Sequence, residues 1–286
     1  NETGFDRVDL RRQNLIDPAD MPYDNGLGLT YDCGAFEEVM DKALILADIA
    51  GYDVRRLVSL NTGKRRGIGV CNVLEQTGRP SIEAAALRID MEGGITLAVG
   101  TAPQGQGHET IFKQLICESM GVMPDRVMVV TGDTAMTEVG GGTFNSRSAI
   151  CGGAVVERVK RKLIERCYDL AALRLEAAVA DLEFSSGQFR IAGTDRHISL
   201  LNIARLEGGM EETAEFSPEA PTFPQGCHVC EVEIDPETGD VSIERYVTVD
   251  DVGNILNPSI LEGQIHGGVA QGIGQALLEQ IHYDPV

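Results

Sequence analysis

The chain contains no tryptophan, no excess of positive charge and no uninterrupted apolar run of the roughly 18 residues that would argue for a membrane span. Its 24 lysines and arginines face 44 aspartates and glutamates, a net charge of −20, which argues against nucleic acid or another polyanion as partner. No cleavable targeting segment is visible. The seven cysteines (33, 71, 117, 151, 167, 227, 230) are odd in number and match no secreted disulfide framework, so a reducing, cytoplasmic setting is expected. G-x-S-x-G, Walker-type and H-E-x-x-H motifs are also missing, which removes the usual signatures of serine hydrolases, P-loop enzymes and zinc proteases.

What is present is an ordinary globular composition, 43% apolar, with 33 glycines over 286 residues, enough for a sizeable core and two structural units. The chain opens at Asn1 and stops at Val286 just after an apolar helix, so a segment of a longer or divided polypeptide is expected. Residues 1–56 read as mostly helical, with a clear 3.6-residue stripe through Phe36, Val39, Met40, Ala43, Leu44, Ala47 and Ile49. Leu57–Lys64 reads as a connector, and β-rich sequence begins at Arg66. A hairpin about Glu92-Gly93-Gly94 joins Ala84–Met91 to Ile95–Gly100. A strand is expected over Val127–Thr131, a long helix from about Ser148 to Leu173 and a small hairpin about Ser186-Gly187. Two strands follow, Cys227–Ile234 and Val241–Val249, and a final helix runs from Ser259–Gly263 to His282. The fold class is α+β, with mixed sheets and packed helices.

Gln104-Gly105-Gln106-Gly107-His108-Glu109-Thr110 carries the most chemistry. A strand feeds a glycine-spaced turn that runs into an amphipathic helix, so the backbone can approach a ligand and helix N–H donors stay free for an anionic group. The glutamine amides suit a heterocycle edge. His108 either contacts the ligand or caps the helix. A related pattern, Gln271-Gly272-Ile273-Gly274-Gln275, is read as a second such turn. Gly140–Gly142 with Thr143, Phe144, Asn145, Ser146 and Arg147 reads as a binding loop at a helix start or as a mobile surface loop. Asn257-Pro258 with Gln264 reads as cleft-lining or as simple helix initiation. Cys227-His228-Val229-Cys230 lies in an alternating strand that sends its two sulfurs to opposite faces, so no metal ligand is assigned. The basic run Arg158, Lys160, Arg161, Lys162, Arg166 reads as the wet face of a helix.

Taken in order, Asp9–Ile16, Gln104–Thr110, Gly132-Asp133-Thr134, Gly140–Ser148, Thr222–His228 and Asp251–Gly274 resemble the molybdenum-cofactor-binding subunit of the molybdenum hydroxylases. That family includes xanthine dehydrogenase, aldehyde oxidoreductase and aerobic carbon monoxide dehydrogenase. The resemblance covers essentially the whole chain. It implies that residues 1–64 close a first cofactor-binding domain and 65–286 form most of a second, incomplete at its C-terminus. It also implies a molybdopterin carrying molybdenum, in its cytosine dinucleotide form, held by Gln104, Gly105, Gln106, Gly107, His108, Thr110, Thr143, Phe144, Asn145, Ser146, Arg147, Asn257 and Gln264. A small substrate such as an aldehyde or N-heterocycle would be hydroxylated with water as oxygen source. Electrons would leave to 2Fe-2S clusters and FAD on partner subunits, in a dimer of heteromers that includes the remaining part of the molybdenum subunit. The family's catalytic glutamate lies downstream of the matching segment, so the chain alone is expected to be inactive. A non-catalytic assembly or scaffolding paralogue is the rival reading.

Overall fold

The computed structural model describes residues 4–79 and 81–284. Asn1 and Pro285–Val286, the chain ends invoked above, lie outside the described residues. In chain order the elements are α1 (Arg7–Arg12), β1 (Tyr23–Asp24), β2 (Thr30–Tyr31), α2 (Phe36–Leu46), α3 (Tyr52–Asn61), β3 (Arg65–Leu74), β4 (Glu83–Ile89) and β5 (Ile95–Val99). They continue through α4 (His108–Met120), β6 (Val127–Thr131), α5 (Gly153–Leu175), β7 (Leu182–Ser185), β8 (Gln188–Ile191), β9 (His197–Ser199) and α6 (Leu200–Leu206). The last four are β10 (Met210–Phe216), β11 (Gln225–Ile234), β12 (Val241–Asp251) and α7 (Pro258–Leu277). The α+β class expected from the sequence is what the chain adopts. By packing it divides into two compact units, Asn1–Thr77 with Pro221–Asn254, and Gly78–Ala220 with Ile255–Val286. The boundary expected at residue 64/65 is one of descent, which packing does not address.

The first unit is an antiparallel sheet ordered β12-β11-β3. The stripe on α2 (Val39, Met40, Ala43, Leu44) is buried with Val70, Cys227 and Val229 on one face of that sheet. Cys227 is therefore core. His228, one residue on, turns to the other face, where Tyr246 lies 3.1 Å and Asp250 3.2 Å from its ring nitrogens. Residues 57–61, expected as connector, instead complete α3. That helix turns its polar side inward: Arg55 bonds Glu231 at 2.8 Å and Ser59 donates to Glu233 at 2.5 Å, while Val54, Leu57 and Val58 face outward. The stretch around α1, β1 and β2 contains much less helix than expected over residues 1–56.

The second unit holds the sheet β10-β4-β5-β6. Its β4–β5 hairpin pairs Leu87 with Leu97, as the Glu92-Gly93-Gly94 turn predicts. β5 and β6 are parallel, Leu97 opposite Val129, and a parallel pair requires a crossover, which α4 supplies. Leu87, Leu97, Ile116, Val155, Val159 and Leu163 form the dry centre between sheet and helices. Each such side chain contributes about 1.5–3 kcal/mol by leaving water. α5 is entered through a π-helical turn over Ser148–Gly152. β9, α6 and β10 were not anticipated from the sequence.

Two expectations are corrected here. Gln271–Gln275 is no turn: it lies inside α7, because Leu261, Ile265, Val269, Ile273 and Leu277 repeat every fourth residue straight through it and hold the helical period. The basic run on α5 is not simply a wet face. Arg158 donates to the Glu215 carbonyl at 2.7 Å, Lys162 to that of Thr213 at 2.8 Å and Arg166 to that of Glu211 at 3.4 Å. Cations four residues apart on the helix thus meet alternate residues of β10, the edge strand.

Candidate functional site

Adjacent parallel strands deliver their following loops to the same end of a sheet, where open α/β sheets place their ligands. Here β5 leads into the Gln104–Gly107 turn and β6 into the Gly132–Arg147 loop. Gly132 N–H donates to the Val99 carbonyl at 3.4 Å, so the two loops leave side by side. The Thr143 hydroxyl then donates to the Ala102 carbonyl at 2.5 Å and meets the Ser148 hydroxyl at 2.9 Å. That ties the second loop to the root of the first.

The Gln104 turn requires its glycines. Gly105 and Gly107 have φ of +95° and +77°, backbone that a side chain strains, and a Cβ on Gly107 would come within 2.8 Å of Ile260 Cδ1. Gly107 is the N-cap of α4 and no side chain caps that helix. Its first N–H groups therefore lack intrahelical partners and carry the positive end of the helix dipole. Gln106 folds its amide oxygen back onto the Gln104 N–H, which shapes the turn and leaves the amide NH2 as a donor. Thr110 lines an open groove of about 320 Å³ along α4 with Glu109, Lys113 and Gln114.

His108 follows the turn and is only 4% exposed, packed against the Phe112 ring at 5.5 Å between centroids. Neither ring nitrogen has a hydrogen-bond partner among the described residues. Burial lowers its pKa from the ordinary 6.5, so the imidazole is neutral at pH 7, with one donor and one acceptor to offer. An orphaned buried polar group of this kind costs about 1–3 kcal/mol unless something meets it.

α7 reaches the same place. Asn257 caps it, accepting from the Ile260 N–H at 3.1 Å, and donates at 3.0 Å to Gln114 on α4. Gln114 also donates to the Leu256 carbonyl at 2.9 Å. Helix initiation, one of the two readings of Asn257, is thus real, and the same side chain pins the start of α7 to α4. Gln264, nearly two turns further on, is exposed.

In the second loop, Phe144 is exposed and Asn145 and Ser146 both sit in left-handed backbone, φ +49° and +48°. Such backbone is strained for non-glycine residues and persists only when its surroundings enforce it. Arg147 points the other way. It is fully buried and ion-pairs with the fully buried Glu83. The turn, the second loop and Asn257 are therefore brought together within one unit, while Gln264 lies apart from their contacts. Sequence reasoning missed Glu83 and Gln114. Glu83 was readable: it shares strand parity with Ala85, Leu87 and Ile89, which places a carboxylate on the core face and demands a partner.

A family model described as the molybdopterin cofactor-binding domain matches residues 46–286. The carbon monoxide dehydrogenase large chain of Afipia carboxidovorans is 33% identical over 310 residues, covering 98% of this chain and 38% of that protein. The 6-hydroxypseudooxynicotine dehydrogenase complex subunit gamma of Paenarthrobacter nicotinovorans is 30% identical over 301 residues, 99% of this chain and 38% of that protein. The crystal structure of a Cu,Mo-CO dehydrogenase in its carbon monoxide reduced state superposes with a TM-score of 0.91 at 30% identity, over 99% of this chain and 39% of that one. The chain therefore spans well under half the length of these relatives. Among the described residues no helix is long and apolar enough to cross a membrane. With the matched span covering most of its residues, the chain belongs to the molybdopterin cofactor-binding domain family.

Proposed function

We propose that the chain is the cofactor-holding part of a molybdenum hydroxylase and that the cradle lies where the loops after β5 and β6 meet the start of α7. The observation that carries this reading is the convergence itself: Thr143 bonded to Ala102, and Gly107 against Ile260. The residues fit a molybdopterin on physical grounds, through the uncapped start of α4, the two left-handed glycines beside it and the unpartnered His108. When bound, that group supplies the redox centre at which a small substrate, an aldehyde or N-heterocycle, is hydroxylated with oxygen from water.

The chain's own residues bind and orient it. The N–H groups of His108, Glu109 and Thr110 face its anionic part, with Gly105 and Gly107 giving close approach. Gln104 and Gln106 meet its polar heterocycle edge, and neutral His108 supplies a donor or acceptor from the dry side. Phe144, Asn145 and Ser146 flank it from the second loop, where Thr143 and Arg147 set the backbone, and Asn257 fixes the α7 wall that leads to Gln264. We assign the cytosine dinucleotide form, which the family resemblance implies. We place residues 1–64 at the close of a first cofactor-binding domain and 65–286 in a second. The catalytic glutamate then comes from the remaining part of the molybdenum subunit, and 2Fe-2S and FAD subunits take the electrons, in a dimer of heteromers. The seven free thiols fit a reducing cytoplasm.

The test is molybdenum content. In the complete complex, purified from cells supplied with cofactor, molybdenum should approach one per chain. Gln106→Ala should lower it, because an amide hydrogen bond in a dry site is worth about 1 kcal/mol or more. Equal occupancy in variant and parent counts against Gln106, and no molybdenum in the parent favours the scaffolding paralogue.

A further inference from the structure

Among the described residues Arg147 is the bulkiest fully buried side chain of the unit, and the only charge it meets at close range is Glu83, itself at 0% exposure. Burying a pair this completely costs desolvation that the ion pair barely repays, so its presence calls for a second role. The surroundings supply one. Arg147 Nη1 also donates to the Gly142 carbonyl at 2.8 Å, at the end of the triple glycine and one residue before Thr143. Gly141 is packed so closely beneath the guanidinium that a Cβ there would lie 2.7 Å from Nη1. Gly100 and Gly140 pass backbone to backbone beside the Glu83 carboxylate, and a Cβ on Gly100 would stand 2.5 Å from Gly140 Cα. Gly140 and Gly141 are thus fixed by close packing against Gly100 and Arg147, and Gly142, at a φ of +76° as it turns toward Thr143, is held through its carbonyl.

From these contacts we infer that Glu83 is a positioning residue for the cofactor cradle. It orients Arg147, Arg147 holds the Gly142 carbonyl, and the loop so fixed presents Thr143 to Ala102 and hence to the Gln104 turn. A carboxylate at the head of a core strand, remote in sequence from both loops, sets their relative placement before any ligand arrives. This inference rests on the proposed cofactor reading for its purpose but not for its geometry.

Removing one partner strands a buried charge, so Glu83→Gln alone is expected to lower Tm sharply or prevent folding. The decisive variant is Glu83→Gln with Arg147→Met, which discards both charges and keeps an apolar stem of similar length. Apolar or neutral replacement of a buried pair is commonly tolerated, so Tm should return to within a few degrees of the parent. Methionine cannot donate to the Gly142 carbonyl. Amide exchange over residues 140–146 of the cofactor-free protein should therefore quicken by about tenfold or more, the expected result of losing a charged hydrogen bond. Molybdenum retention in the complex should fall with it. Parental exchange over 140–146 in a folded double variant overturns the inference, and so does retention of molybdenum at the parental level. Should the parent itself hold no molybdenum, the functional reading fails while the exchange measurement still decides the role of Glu83.

Discussion

At the scale of single residues the site is defined by groups that the protein leaves unfinished. His108 shows this most clearly, since among the described residues nothing meets either nitrogen. Its burial also makes a pH prediction with a definite sign. The folded pKa lies below the ordinary 6.5, so below that pH the unfolded chain takes up a proton that the native one refuses. Stability is lost as pH falls from about 6.5 toward the folded pKa, and then levels. His108→Phe, which keeps an apolar ring against Phe112, should remove that component. Thermal melts at pH 7.5 and 5.5 should show the parent losing more Tm than the variant. Parallel losses in the two proteins would mean that His108 is solvated or paired in solution. Sequence alone marked His108, Gln104 and Gln106 as candidates, because glycine spacing before an amphipathic stripe is a local signal. It gave no direction for Arg147: nothing in Gly140–Arg147 shows that the arginine turns inward to Glu83, more than 60 positions away.

At the scale of elements, the segments that were legible are those whose period is set by burial on one face. β4, β5, α4 and β6 alternate or repeat as their apolar positions require, and their bounds fall close to expectation. The failures have the opposite character. α3 sends Arg55 and Ser59 inward to Glu231 and Glu233 and leaves Val54, Leu57 and Val58 outside, so its apolar pattern points away from its contacts. β10 has just two buried apolar residues, Met210 and Ala214, and is stabilised by pairing with β4 and by the cations of α5. That covering makes its own prediction. An unprotected edge strand pairs with other chains, and here Arg158, Lys162 and Arg166 occupy the carbonyls such pairing would use. Replacing all three by alanine should produce concentration-dependent association in sedimentation velocity, with little change in secondary structure by circular dichroism. A variant that sediments as the parent does at every concentration would show that the cations do not guard the edge.

At the scale of the whole molecule, the chain is a holder. A parallel strand pair sends two loops to one end of a sheet, buried charge and crowded glycines fix the loops, and a third helix closes against the first. Family membership agrees with a cofactor-holding design, and the chain spans well under half the length of its relatives. The central claim is that segments 104–110, 143–147 and 255–260 form one cradle for a single anionic guest. Hydrogen exchange read by mass spectrometry, on the complex with and without molybdopterin, tests it most directly. The account predicts that loading slows exchange in all three segments together and leaves the β10 edge unchanged. Protection confined to one segment, or appearing only elsewhere, would contradict it.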